Sequence, residues 1–286
     1  MKITHIASIK GGQDGAIHGD LLFRFTTKGE GLVYDLSGID FGSEVKRLVP
    51  IAGFALDGRD LICPHSNSVV FGTEYFAEGD EFPLLFSNVY NNYAKEQEKR
   101  VGVCCVYRIS RDGNAFRSTL IGTVEIGFTD DRSLWRSAGD VSDVRPYGNF
   151  VIDRKRKLYY AYVMQDGEKR TAFFSFDMPS VRSAPISENG LRRIILKKED
   201  IRERFLTPYQ NYMQGSVCHN GKILVVEGFH ERIHPALRII DTETRSEELF
   251  LDLFEAGFIH EPELIDFYGE KCIYGDAVGN LFLAEL

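Results

Sequence analysis

The sequence predicts an all-β fold, a five-bladed β-propeller of four-stranded blades. Three observations carry that prediction. Short apolar runs rich in β-branched and aromatic residues, separated by turn residues, recur along the whole chain. Five of these runs open on a polar side chain, Gln13, Asn67, Asn149, Gln214 and Glu263. After all but Asn67, a second apolar run starts nine residues further on. The last repeat runs out of chain one strand short, and the first residues of the protein form a strand with no other place to go.

The elements follow in order. KITHIASI precedes the first repeat and is free to complete the last. The first repeat reads QDGAI, LLFRF, GLVYDL and EVKRLVPI. The second reads NSVVF, a long turn, then LLFSNV, VCCVYRI and STLIGTVEIG. The third reads NFVID, LYYAYV, AFFSFDM and LRRIILKK. The fourth reads QGSVC, ILVV, ALRIIDTE and SEELFLDLF, and the fifth ELIDF, CIYGD and NLFLAEL, ending at Leu286. Five repeats of about 57 residues, closed by the opposite terminus, leave neither end blade with an open edge. Helical periodicity is confined to short stretches near KKEDIRERF and YAKEQEK. A β-sandwich would use the same strands but gives no reason for five polar openers in one register. Residues 1–286 therefore read as a single propeller domain.

Composition narrows the partners. The 286 residues are 43% hydrophobic and 12% aromatic, ample for a core. A net charge of −8 with scattered basic residues argues against nucleic acid and against an anionic membrane. No apolar stretch is long enough for a signal peptide or a span, so the reading is a soluble, cytoplasmic protein. Cys63, Cys104, Cys105, Cys218 and Cys272 show no C-x-x-C spacing and read as thiols in apolar strands rather than disulfides or zinc ligands.

In a propeller the first strand of each blade lines the central channel, so the five openers are expected together at one mouth. Two purposes fit them. Strand ends converging on an axis leave backbone groups in need of partners, and Asn and Gln offer both donors and acceptors. Convergent polar groups are also what a small ligand needs. Period-two alternation puts His65, Tyr147 and Glu261 on the same face as Asn67, Asn149 and Glu263. Loops expected at the same rim add Trp135, Tyr212, His230, His234 and His260. Aromatics above a floor of amides and carboxylates suit a sugar, whose apolar faces lie on rings while its hydroxyls bond Asn, Gln and Glu.

Blade number and closure resemble the five-bladed glycoside hydrolases of the arabinanase and invertase type, and the tachylectin-like sugar-binding propellers. The pairing of QG in one blade with EPE in the next is similar to that in uncharacterised bacterial propellers. The hydrolase resemblance implies acids on the inner strands of the first three blades, where this chain has Gln13, Asn67 and Asn149. Asp14 is adjacent, but one residue along a strand turns a side chain to the other face. Glu261 and Glu263 share one strand and do not span a cleft, as glycoside hydrolysis requires.

Three functions remain open. The first is binding of a small, carbohydrate-like ligand by Gln13, Asn67, Asn149, Gln214, Trp135, Tyr147 and His230. The second is a sugar- or uronate-active enzyme (lyase, epimerase or hydrolase) using Glu261, Glu263 and His65. The third is an interaction scaffold. No cofactor is expected, with calcium or another divalent ion on the same three residues as the alternative. Neither KGGQDG nor GDAVGN has the spacing of a phosphate-binding loop.

Overall fold

The computed structural model describes residues 2–39, 41, 46–62, 64–89, 102–129, 148–165, 170–208, 210, 212–229 and 233–286. Its strands form five sheets arranged as the blades of a propeller. The chain opens with β1 (Lys2–Ser8). Blade 1 contains β2 (Gly15–His18), β3 (Leu21–Phe25) and β4 (Glu30–Asp35). After β5 (Lys46–Arg47), which lies elsewhere, β6 (Ala52–Ala55) completes it. Blade 2 contains β7 (Val69–Phe71), β8 (Leu85–Asn88), β9 (Val103–Asp112) and β10 (Ala115–Ile126). Blade 3 contains β11 (Phe150–Asp153), β12 (Leu158–Gln165) and β13 (Arg170–Asp177); the chain then leaves as β14 (Arg192–Leu196) and returns as β15 (Glu203–Pro208). Blade 4 contains β16 (Met213–His219), β17 (Lys222–Phe229), β18 (Ile233–Asp241) and β19 (Ser246–Asp252). Blade 5 contains β20 (Pro262–Tyr268), β21 (Lys271–Asp276) and β22 (Asn280–Glu285).

The N-terminal strand closes the circle as expected. β1 pairs antiparallel with β22, from Lys2 opposite Glu285 to Ser8 opposite Asn280. Backbone groups that would otherwise form an open edge are thereby paired.

The core is divided into five apolar clusters, one between each pair of neighbouring blades. Phe23 and Phe25 meet Phe71 and Tyr107 between blades 1 and 2. Phe86 and Val124 meet Phe150 and Phe174 between blades 2 and 3, and Tyr160 and Phe173 meet Val225 between blades 3 and 4. Leu224 meets Tyr274 and Phe282 between blades 4 and 5, and Leu264 and Leu281 meet Leu22 and Tyr34 between blades 5 and 1. A blade therefore buries both of its faces. This is why its middle strands read as continuous apolar runs rather than alternating ones. Cys104 faces the blade 3 side and Cys105 the blade 1 side, and both are fully buried. Cys104, Cys105, Cys218 and Cys272 take part in no disulfide.

Two outer strands differ from the sequence expectation. EVKRLVPI and LRRIILKK were expected to complete blades 1 and 3. Instead β5 pairs in parallel with β1 on the outside of blade 5, and β14 pairs in parallel with β10 on the outside of blade 2. The true fourth strands are β6 and β15. In both places the chain leaves a blade's third strand, straps onto the outer edge of the preceding blade, and only then returns. Two of the five sheets consequently hold five strands. The helical stretch expected near KKEDIRERF reduces to one 3-10 turn, Lys198–Asp200, because Glu203 to Phe205 belong to β15. YAKEQEK and Cys63 lie outside the described residues.

Candidate functional site

The inner strands converge closely enough that β16 of blade 4 approaches β7 of blade 2 across the axis. At that distance side chains, rather than ladder hydrogen bonds, join neighbouring blades. The Asp14 carboxylate accepts from the Val69 N–H (2.7 Å), tying blade 1 to blade 2. Ser68 Oγ and Ser216 Oγ both donate to the Phe150 carbonyl, at 2.9 and 3.1 Å, tying blades 2 and 4 to blade 3. Asp266 Oδ2 accepts from the Ile17 N–H (2.7 Å), tying blade 5 to blade 1.

Above this belt the five polar openers separate into two arcs. On the side of blades 2 and 3, Asn88 Nδ2 donates to Asn67 Oδ1 (2.6 Å) and to Asn149 Oδ1 (2.7 Å). Asn88 Oδ1 in turn accepts from the Ser68 N–H (3.1 Å). Asn88 is fully buried. This amide arc closes on itself, and no register shift interrupts the inner hairpins of these two blades.

On the side of blades 4, 5 and 1 the arc is acidic. Gln13 Nε2 donates to Glu263 Oε1 (2.8 Å), and Gln214 Nε2 donates to Glu261 Oε1 (2.8 Å) and to the Gly228 carbonyl (3.1 Å). Each of these three blades has a bulge here. In blade 1, Gln13 N–H donates to the Phe25 carbonyl while Phe25 N–H donates to the Asp14 carbonyl, so two residues oppose one. The register of β16 slips between Met213 and Ser216, and that of β20 between Pro262 and Leu264. A bulge re-aims the side chains that it displaces.

The blade 1 bulge overturns the expectation for Asp14. Alternation turns it away from Gln13's face, but the bulge lets both residues serve the channel. A β-carbon on Gly215 of blade 4 would lie 2.8 Å from Asp14 Oδ1 and 2.5 Å from the Glu263 carbonyl oxygen. Only glycine leaves room there for blades 1, 4 and 5 to meet.

Arg24 was not singled out by the sequence pattern. It is 2% exposed and lies in the seam between blades 1 and 5. Its Nη2 donates to the carbonyls of Gly12 (2.7 Å) and Asp276 (2.9 Å). Gly12 and Gly275 make the space: a β-carbon on them would lie 3.3 Å from Nε and 3.0 Å from Nη1, respectively. Arg24 is the countercharge to Asp14 and Glu263. Burial pushes the Glu263 carboxyl well above the usual carboxylate range, the Glu261 charge adds to that, and Arg24 and the Gln13 hydrogen bond oppose it. Burial likewise raises Asp14, against its bonds to backbone N–H groups and the pull of Arg24.

The acidic arc keeps unfilled hydrogen-bonding capacity. Gln13 Oε1, Asp14 Oδ1 and Glu263 Oε2 are buried acceptors without a partner among the described residues, and Arg24 Nε and Nη1 are buried donors without one there. Such groups are uncommon in native interiors, where a buried water, an ion or local strain accounts for them.

Gln13, Gln214, Glu261 and Glu263 thus come together, and Asn67 and Asn149 come together in the opposite arc. His65 is half-buried on the turn into β7, and burial lowers its imidazole pKa to about 4. Among the described residues no three His, Cys, Asp or Glu side chains are placed to hold a metal ion, so His65 does not complete one with Glu261 and Glu263. His234, expected in a rim loop, lies within β18 and stacks on Phe254. Tyr212 is exposed and stacks on Phe229 at 4.8 Å, and His260 is exposed before β20. Trp135, Tyr147 and His230 lie outside the described residues. Two clefts open away from the axis, about 820 Å³ between blades 4 and 5 and about 680 Å³ on the flank of blade 2. Charged groups there pair with each other, Lys222 with Glu248 and Arg193 with Glu125.

No protein-family model and no curated protein matches this sequence. Solved structures do. The chain is similar to glutaminyl cyclase from Myxococcus xanthus (12% identity, TM-score 0.50), covering 100% of this chain and 94% of that one. It is also similar to the PQQ-bound aldose sugar dehydrogenase of Streptomyces coelicolor (11% identity, TM-score 0.50), covering 99% and 97%. At these identities the likeness is one of fold. No helix among the described residues is long and apolar enough to cross a membrane.

Proposed function

We propose that the protein binds a small polar, carbohydrate-like ligand at the channel mouth, on the side of blades 4, 5 and 1. The observation that carries this reading is the convergence of Gln13, Gln214, Glu261 and Glu263 on that side, paired as Gln13 with Glu263 and Gln214 with Glu261 at 2.8 Å. A ligand rich in hydroxyl groups bonds to both the amides and the carboxylate of such a face. Half-buried Gln13 and Glu261, with Gln214 beside them, form the face that such a ligand meets first. Glu263, Asp14 and Arg24 lie behind it. The amide arc contributes shape and rigidity.

The test is a thermal-shift screen of sugars and polyols on wild type and on Gln214→Ala. A stabilising compound whose effect disappears in a well-folded Gln214→Ala supports the reading. Absence of any stabilising compound, together with a large fall in melting temperature for Gln214→Ala, contradicts it and leaves the amide as architecture.

One observation favours a second reading, proton transfer on the bound ligand. A carboxyl held above its usual range, as Glu263 is, suits a general acid or base near neutral pH. Turnover of a bound sugar that is abolished in Glu263→Gln while binding persists would select it.

A further inference from the structure

Two stacked aromatic rings stand beside the polar groups of the mouth, on blade 4. Resting on the reading that the mouth binds a ligand on the side of blades 4, 5 and 1, we infer that Tyr212 is the stacking platform for that ligand. It selects a cyclic sugar, whose ring presents an apolar face of C–H groups, over an open-chain polyol with the same hydroxyls.

The rings offer accessible surface. Tyr212 is 46% exposed, and its ring stacks on Phe229 with 4.8 Å between centroids and 13° between planes. Phe229 covers one face, so what the Tyr212 ring exposes is its other face and its edge. The backbone that carries the ring is strained. Tyr212 has a φ of 53°, in the left-handed region that a bulky residue rarely enters. Residues held there against their preference cluster at ligand clamps and active sites. Both rings also flank register shifts, one between Met213 and Ser216 and one between Glu227 and Phe229. Irregular backbone therefore sets their direction, rather than strand alternation.

One residue joins the rings to the polar pair. The Gly228 N–H donates to the Tyr212 carbonyl (3.1 Å), and the Gly228 carbonyl accepts from Gln214 Nε2 (3.1 Å), which also donates to Glu261 Oε1. Gly228 has a φ of 150°, and a β-carbon on it would lie 3.0 Å from Pro262 Cδ and 3.1 Å from Pro235 Cα. Glycine is what brings the platform this close to blade 5.

A sugar ring needs both parts of this arrangement. Its C–H face lies on the aromatic face, and its hydroxyls reach the amide and the carboxylate. An alditol has the hydroxyls but no fixed apolar face.

The experiment is calorimetric titration with three hexoses and their alditols (glucose and sorbitol, galactose and galactitol, mannose and mannitol) on wild type, Tyr212→Phe, Tyr212→Asn and Gln214→Ala. Asn tolerates the left-handed backbone, so Tyr212→Asn removes the ring and keeps the turn. Wild type and Tyr212→Phe should bind at least one hexose more tightly than its alditol. Tyr212→Asn should weaken that hexose about three- to tenfold, the scale of one aromatic contact, and its alditol less than twofold. In NMR spectra the C–H protons of the hexose should shift upfield on binding wild type, and an unshifted bound hexose overturns the inference whatever the variants do. It is also overturned if a folded Tyr212→Asn keeps the hexose preference, if it weakens hexose and alditol alike, or if the alditol binds wild type as tightly as the hexose. In each of these cases the site itself stands as long as Gln214→Ala abolishes binding. If none of the six compounds binds, or binding ignores Gln214→Ala, both the site and the platform fall.

Discussion

The two halves of the channel mouth draw on similar polar residues and finish their hydrogen bonds in opposite ways. In the amide half, one buried side chain, Asn88, bridges Asn67 and Asn149 and is itself bonded through its oxygen to the Ser68 N–H. Its strands are regular. In the acidic half, three bulges lie at Gln13 and Asp14, at Gln214 and at Glu263, and three buried acceptors have no partner among the described residues. The contrast teaches that a ring of polar side chains is not one feature. Where it closes on itself it serves as architecture, and where it is irregular and charged it is the half proposed above to meet a ligand.

The largest effect expected from this contrast is at Arg24. Arg24→Met leaves Asp14 and Glu263 without their buried countercharge, which costs about 3–5 kcal/mol. Chemical denaturation measures it, and adding Glu263→Gln should restore part of the loss. A single variant as stable as wild type would mean that the acidic half is not held together by charge. Gly215→Ala comes next. Its new methyl group meets backbone and carboxylate oxygens within 2.8 Å, for a cost of about 1–3 kcal/mol. Unchanged melting would show that the bulges of the acidic half give way easily.

A smaller effect is expected in the pH dependence of stability. Folding raises the pKa of both Glu263 and Asp14. Between the ordinary carboxylate value and the raised one, the folded protein holds protons that the unfolded chain has lost. Each group therefore contributes most below the ordinary value, near about 4, and loses that contribution as pH rises through the folded value. Wild type should lose stability relative to Glu263→Gln across that window, with a slope of up to about 1.4 kcal/mol per pH unit for one proton. A difference of the opposite sign would show that Arg24 dominates burial at this carboxyl.

Much of the contrast was invisible in the sequence, for physical reasons. The blades were legible because each buries both faces, so LYYAYV and VCCVYRI stand out as unbroken apolar runs. The closing strand was legible because one repeat lacked a partner. The outer straps were not, since EVKRLVPI has the composition of a strand whichever blade's edge it joins, and composition does not name a neighbour. Gln13, Gln214 and Glu263 were found through a shared offset from the following strand, which inner hairpins with the same short turn preserve. Asp14 was excluded by period-two alternation, which a bulge suspends. Arg24 and Asn88 were passed over because they lie on second strands, outside the pattern of openers. The one trace of Arg24 was a charge inside LLFRF, with glycines at 12 and 275 that acquire meaning only when blade 5 meets blade 1.

The most direct test of the division is a crossed pair of substitutions, Asn88→Ala and Gln214→Ala, each followed by unfolding and by titration with the most stabilising sugar of the thermal-shift screen. Asn88→Ala orphans the buried Asn67 and Asn149 oxygens and should cost about 1–3 kcal/mol of stability while leaving affinity within about twofold. Gln214→Ala should cost less than about 1 kcal/mol, because the Glu261 end of its contact is half-open to water, and should lower affinity about ten- to a hundredfold. Equal losses of stability with no effect on binding from either change would show that both halves are architecture, and would contradict the account.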